Sequence, residues 1–237
     1  ANVRWPMVRL ASLPLAPHRA KPVHQRVARK TPPFASRLVV MVKEPAVGRV
    51  KTRLAREVGA VTAAAFYRAT SKAILARVGK GGGWRTQLDV TPDSAIASPA
   101  WPLSLPRRKQ GSGDLGQRMQ RVMDVAPPGP VIVIGTDVPA IRSKHIKSAI
   151  KALGSHDAVV GPSPDGGYWL VGLKRRPRVP RAFAAVNWST EAALEQTLAN
   201  LSGLNVAHIE ALTDVDEERD LAVARGAAGR FVLQPEN

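Results

Sequence analysis

The chain has 237 residues, 44% of them hydrophobic and none of them cysteine, and its 35 Lys/Arg against 18 Asp/Glu give a formal charge of +17. That length and apolar share suffice to fill one core, while no apolar run reaches the roughly 18 residues that cross a bilayer. Without thiols, disulfide scaffolding, thiolate nucleophiles and thiolate metal sites are excluded, so a bound metal would have oxygen or imidazole ligands, which favours Mg²⁺ or Mn²⁺ at carboxylates.

Residues 1–36 are rich in Pro, Arg and Ala and keep no period of 2 or 3.6, which reads as a disordered basic extension. Arg4, Arg9, Arg19, Lys21, Arg26, Arg29, Lys30 and Arg37 meet no acidic residue in the first 37 positions, which leaves +9 on the remaining 200. A tail of this kind resembles an organelle transit peptide; otherwise the protein is expected in the cytoplasm, away from membranes. Basic tails bind polyanions without specificity, and no motif for specific nucleic-acid binding appears. One domain is expected over residues 37–230, with 231–237 as a tail.

From Arg37 strands alternate with helices. Strand-like runs are Leu38–Val42, Trp84–Val90, Val131–Gly135, Asp157–Val160, Tyr168–Leu173 and Leu204–Ile209. Helix-like runs are Lys51–Val78 (with a break near Gly59), Leu115–Val125, Ser143–Leu153, Thr190–Asn200 and Glu217–Arg225. This alternation predicts an α/β fold, a mostly parallel sheet with helices on both faces.

The first strand empties into a loop holding Lys43, Pro45, Gly48, Lys51, Thr52 and Arg53 at a helix start. Cations there oppose the helix dipole by roughly 0.3–1 kcal/mol each, so the placement suits an anion such as a nucleotide's phosphates. The spacing is not that of a Walker A loop. Gly111, Gly113 and Gly116 formally match a dinucleotide fingerprint, but Pro106-Arg107-Arg108-Lys109-Gln110, not a hydrophobic strand, precedes them. A glycine loop lying flat on a ligand, with Asp114 at a helix cap, is the alternative.

Val131–Gly135 is apolar enough for a central strand, and Asp137 stands just past its end, where α/β sheets bind ligands. Asp165-Gly166-Gly167 can turn a hairpin, with Tyr168 and Trp169 beside it. Trp188 precedes Ser189 and Thr190, either of which can cap the following helix. Asp214 and Asp216 stand two apart, so on an extended segment they share a side, and one could join Asp137 at a metal.

Taken in order, K-x-P-x-x-G-x-V-K-T-R-L, G-D-L-G-x-R-M, G-x-D-x-P, G-P-x-x-D-G-G-Y, W-S-T and D-x-D-x-x-x-D-L resemble the glycosyltransferase-A-like family called arsenosugar-biosynthesis or radical-SAM/selenodomain-associated transferase 1. They are more distantly similar to 2-phospho-L-lactate guanylyltransferase. The resemblance covers about residues 37–225 and implies a Rossmann-like nucleotide-diphospho-sugar transferase (GT-A) fold with a mixed sheet. It implies nucleotide phosphates at Lys43, Gly48, Lys51 and Arg53, and base and ribose near Gly113, Asp114 and Leu115. Metal would sit at Asp137 with Asp216, and the acceptor against Asp165, Gly166, Gly167 and Tyr168.

The sequence therefore reads as a Mg²⁺- or Mn²⁺-dependent transferase with a nucleotide or nucleotide-sugar donor and a small-molecule acceptor. Asp137, Lys51 and Asp165 are the expected catalytic groups. Glycosyl and nucleotidyl transfer both fit, and the oligomeric state and nucleobase are left open. Two rivals are an NAD(P)-dependent oxidoreductase using Gly111, Gly113 and Gly116, and a non-enzymatic polyanion binder using the basic tail.

Overall fold

The computed structural model describes residues 34–80, 82–176 and 178–215, all within one compact unit. The predicted extension before residue 34, Asp216, the predicted helix at 217–225 and the tail at 231–237 lie outside the described residues. Seven strands form one sheet: β1 (Ser36–Lys43), β2 (Trp84–Thr91), β3 (Arg107–Lys109), β4 (Val131–Ile134), β5 (Ala158–Pro162), β6 (Tyr168–Leu173) and β7 (Val206–His208). Among the described residues, five α-helices cover it: α1 (Thr52–Val58), α2 (Ala60–Val78), α3 (Leu115–Val125), α4 (Ser143–Ser155) and α5 (Ala193–Asn200).

Both faces of the central strands are buried, and their side chains divide by parity. Leu38, Val40 and Val42 of β1 join Ile132 and Ile134 of β4, with Ile74 and Leu75 of α2 and Ile146 and Leu153 of α4. Val39, Val131 and Val133 pack on the other face against Met119, Val122 and Met123 of α3. Period-2 alternation sends neighbours to opposite faces, and each fully buried aliphatic side chain contributes about 1.5–3 kcal/mol. No helix among the described residues is long and apolar enough to cross a membrane.

The strand order is β3-β2-β1-β4-β6-β5-β7. β1 runs parallel to both β2 and β4, β2 to β3, and β5 to β7, whereas β6 is antiparallel to β4 and β5. The chain moves outward from β1 to β3 and then returns to place β4 on the other side of β1. That reversal makes the carboxyl ends of β1 and β4 a topological switch point, where a crevice opens.

Two local expectations need correction. Arg107–Lys109, absent from the predicted strands, is the parallel edge strand β3, because Arg107 and Arg108 find partners within the protein. The Arg107 guanidinium donates to the carbonyls of Ile96, Ser98 and Trp101 at 3.0, 3.0 and 2.6 Å, and Arg108 pairs with buried Asp89 of β2. Neither Ser189 nor Thr190 caps α5. Its cap is Ala192, and the Thr190 hydroxyl instead donates to the Asn187 carbonyl at 2.8 Å. Trp169, set beside the hairpin turn in the sequence, is almost wholly buried, its indole N–H donating to the Glu210 carbonyl, and it still contributes to the wall of the crevice. The break near Gly59 is present: with φ of 84° it ends α1 and begins α2.

Candidate functional site

At the switch point lies a cavity of about 540 Å³ whose walls include Lys43, Lys51, Asp137, Asp165, Tyr168 and Trp188. An adjoining hollow of about 990 Å³ shares Lys51, Thr52, Asp137, Asp165, Ser189, Thr190 and Asp214, and adds Arg53, Glu191 and Ala192.

Between β1 and α1 the chain turns at Gly48 (φ 74°) and reaches Lys51 at φ 47°, a left-handed conformation rare for a lysine. Such a backbone costs of order 1–3 kcal/mol and persists where its surroundings over-determine it. Here the Lys51 ammonium, 5% exposed, lies 2.7 Å from Oδ1 of Asp137, which is 50% exposed. The β1 loop and the β4 loop are thus joined through the two groups expected to bind phosphate and metal.

Tyr67 of α2 holds both loops from below. Its buried hydroxyl accepts from the Lys43 amide at 2.9 Å and from the Thr136 hydroxyl at 3.1 Å. Burial, followed by the charge of Asp137, raises its pKa, so it remains a neutral phenol. Nothing in the helix pattern marks Tyr67, since its helix position reads simply as core.

Asp165 accepts from the Gly167 amide at 3.0 Å, which fixes the carboxylate at the β5–β6 turn. The Tyr168 hydroxyl shares a hydrogen bond with Thr197, and burial raises its pKa. Its ring meets Trp188 edge-on with centroids 6.4 Å apart, and Phe183 backs Trp188 at the same separation. An aromatic wall therefore borders the carboxylates.

Among the sequence-predicted residues, Lys43, Lys51, Thr52, Leu115, Asp137, Asp165, Gly167, Tyr168 and Trp188 line the cavity, and Arg53 lines the hollow. Pro45, Gly48, Gly113, Asp114 and Gly166 are in neither lining. Asp114 forms a capping box with Gln117 at the start of α3, which occupies its carboxylate with the Gln117 amide at 2.7 Å. Gly116 packs against Trp188, and Gly111 against Arg121. The glycine fingerprint thus follows a three-residue edge strand and serves α3 packing. Asp214, weighed beside Asp216 in the sequence, is the one that the described residues place at the site. Among the described residues no three His, Cys, Asp or Glu side chains converge closely enough to hold a metal.

Asp214 is delivered by an extended segment after β7. Ile209 donates to Val160, Leu212 to Pro162 and Val215 to Asp137, backbone to backbone. Glu210 on that segment lies 3.2 Å from Lys144 and 3.3 Å from Nε2 of His145, both on α4. Burial holds His145 below its ordinary pKa, with Glu210 opposing the shift. Below about pH 6.5 the unfolded chain binds a proton that the folded chain resists, so stability falls as the pH drops. Glu210 is itself lowered, first by its hydrogen bond with Lys144, so its contribution is present above its unfolded pKa and lost below it. The midpoint of thermal unfolding should decline from about pH 6.5 downward, and His145→Gln should remove the upper part of that decline. An unchanged profile in His145→Gln would show that His145 does not titrate with folding.

Residues 74–190, about half of the chain, match the family DUF2064, described as "Uncharacterized protein conserved in bacteria". No curated protein matches. Among solved structures, a "putative nucleotide-diphospho-sugar transferase" from Desulfovibrio desulfuricans G20 aligns at 27% identity and a TM-score of 0.73, over 80% of this chain and 86% of that one. The 4-diphosphocytidyl-2C-methyl-D-erythritol synthase of Anaerococcus prevotii DSM 20548 aligns at 10% identity and TM-score 0.55, over 84% and 100%. Rv0371c of Mycobacterium tuberculosis H37Rv in complex with manganese aligns at 15% identity and TM-score 0.51, over 81% and 97%. At such identities the last two speak to fold alone. Residues 74–190 thus carry the DUF2064 pattern, set in a domain with the Rossmann-like, GT-A-like fold of nucleotide-diphospho-sugar transferases.

Proposed function

We propose that this protein is a divalent-metal-dependent transferase that binds a nucleotide donor across the β1–β4 switch point and passes part of it to a small-molecule acceptor. The observation that carries this reading is the 2.7 Å pairing of Lys51 with Asp137 inside a cavity at the carboxyl ends of β1 and β4. It sets a desolvated cation beside a partly open carboxylate, where phosphate and metal would meet. The likeness to the Desulfovibrio protein supports a nucleotide-sugar donor, and the shared fold of a cytidylyl-transferring enzyme keeps nucleotidyl transfer beside it.

Asp137 and Asp214 offer the oxygen ligands that Mg²⁺ and Mn²⁺ prefer. They line one hollow without converging, so they fit a metal that keeps several waters and takes further ligands from phosphate. Asp216, the metal ligand expected from sequence, lies outside the described residues. When bound, the metal would neutralise charge developing on the phosphates.

The chain's own groups would do the rest. Lys43, Arg49 and Arg53 surround the phosphate position with positive charge, and Lys51 shifts its hydrogen bond from Asp137 towards phosphate oxygen as negative charge grows. Asp165, oriented by the Gly167 amide, takes the proton of the attacking acceptor. Tyr168 and Trp188 hold that acceptor on an apolar face and exclude water.

Calorimetric titration of nucleoside triphosphates and nucleotide sugars, each with and without Mg²⁺, tests the reading. Saturable binding that strengthens with Mg²⁺ is expected for at least one of them. No binding of any nucleotide under either condition would overturn it.

A further inference from the structure

The cavity wall sets apolar side chains beside a polar edge whose hydrogen-bonding sense is fixed. The apolar part includes Met41, Leu115 and Met119, and Leu115 is 45% exposed despite being apolar. At the edge, Gln110 is only 5% exposed. Its Nε2 donates to two backbone carbonyls, Val42 at 3.2 Å and Asp89 at 2.9 Å. A flipped amide would set oxygen against oxygen at both contacts, so Oε1 must point away from both carbonyls, on the side of Arg118, and it is an acceptor only.

Beside it stands Arg118. Its Nε is tied to the Gly113 carbonyl at 2.9 Å, while Nη1 makes only long contacts, 3.4 Å to Gln110 Oε1 and 3.5 Å to the Thr91 hydroxyl. Tying Nε aims the guanidinium fork and leaves its remaining donors for a ligand. The edge therefore presents one fixed acceptor next to a fork of donors.

We propose that Gln110 and Arg118 read the nucleobase of the donor, and that they select a base carrying an N–H donor beside a pair of acceptors, which is to say guanine or cytosine. This rests on the nucleotide reading of the cavity. Guanine offers N1–H to Gln110 and the O6/N7 pair to Arg118; cytosine offers its N4 amino group and the N3/O2 pair. Adenine and uracil each present a donor but no adjacent acceptor pair for a fork. A bidentate contact of this kind discriminates by roughly ten- to a hundredfold.

The test is calorimetric titration of GTP, CTP, ATP and UTP, each with Mg²⁺, against the full chain and against Arg118→Gln. In the unsubstituted protein GTP or CTP should bind at least about tenfold more tightly than ATP and UTP; which of the two leads identifies the base. Arg118→Gln should bring all four within about threefold of one another while ATP and UTP keep their affinities. Gln110→Leu, with folding checked by its thermal unfolding, should erase the same preference.

Equal affinities in the unsubstituted protein, or a uniform loss for all four in Arg118→Gln, would overturn the proposal and leave the nucleotide site standing. Binding of none of the four would overturn both.

Discussion

Asp137→Ala should abolish Mg²⁺-dependent nucleotide binding, lowering affinity at least about a hundredfold, and should reduce turnover by a comparable or larger factor. Asp137 would act in two ways. It lies 2.7 Å from Lys51 of the basic loop, and it is an ion-pair partner of that lysine, which is 5% exposed. Its removal therefore also takes an anion away from a desolvated ammonium. Because Asp137 is half exposed, water fills part of the gap, and the stability cost should stay near 1–2 kcal/mol, not the 3–5 of a fully buried pair. Asp137→Asn separates the two roles. Its amide oxygen can still accept from Lys51, so thermal stability should recover, whereas the lost charge should leave metal-dependent binding absent. Titration and thermal melts of both variants check this. Unchanged nucleotide affinity in Asp137→Ala would remove the site from this crevice.

The placement of Asp137 was legible because two local rules agree on it. Val131–Ile134 is apolar at every position, which marks a central strand, and the residues just past such a strand lie at the open end of the sheet. The β1 loop was legible for a similar reason, as cations at a helix start conflict with the dipole unless an anion answers them. What sequence could not supply is the partner. The loop's charges read as phosphate ligands, yet Lys51 rests on Asp137, a contact that exists only because β4 returns beside β1.

The misreadings share a cause. Arg107 and Arg108 were missed as strand residues because a half-buried arginine is recognisable only by the carbonyls and carboxylate it finds, and those come from residues 89–101. Tyr67 and Gln110 look like ordinary core and linker positions, and their site roles come from hydrogen bonds to distant strands. Asp114 carried a signal with two meanings. Its spacing to Gln117 is that of a capping box, and the local meaning is the one the structure shows.

Gly166→Ala should be the most damaging single-methyl change at the acceptor side. Gly166 sits at φ 80°, where any side chain is strained. An added Cβ would also stand 2.5 Å from Cα and 2.6 Å from the carbonyl carbon of Glu191. These are backbone atoms, so no rotamer change relieves the clash. Either the β5–β6 turn or the segment before α5 must move. Both carry the site, Asp165 on one and Ser189 to Ala192 on the other, and the Leu194 amide joins them by donating to the Gly166 carbonyl at 3.0 Å. A loss of about 2–4 kcal/mol is expected, which for a domain of this size lowers the unfolding midpoint by roughly 4–16 °C. Nucleotide affinity should change little, because the basic loop and Asp137 lie on other elements, while the acceptor's KM should rise. Gly48→Ala supplies the comparison. Its φ is 74°, but an added Cβ meets nothing within 4 Å, so only the conformational cost of about 1 kcal/mol applies. Equal midpoints for the two variants would mean that the turn and the α5 approach are not packed backbone to backbone, and that the acceptor side is held by the aromatic wall alone.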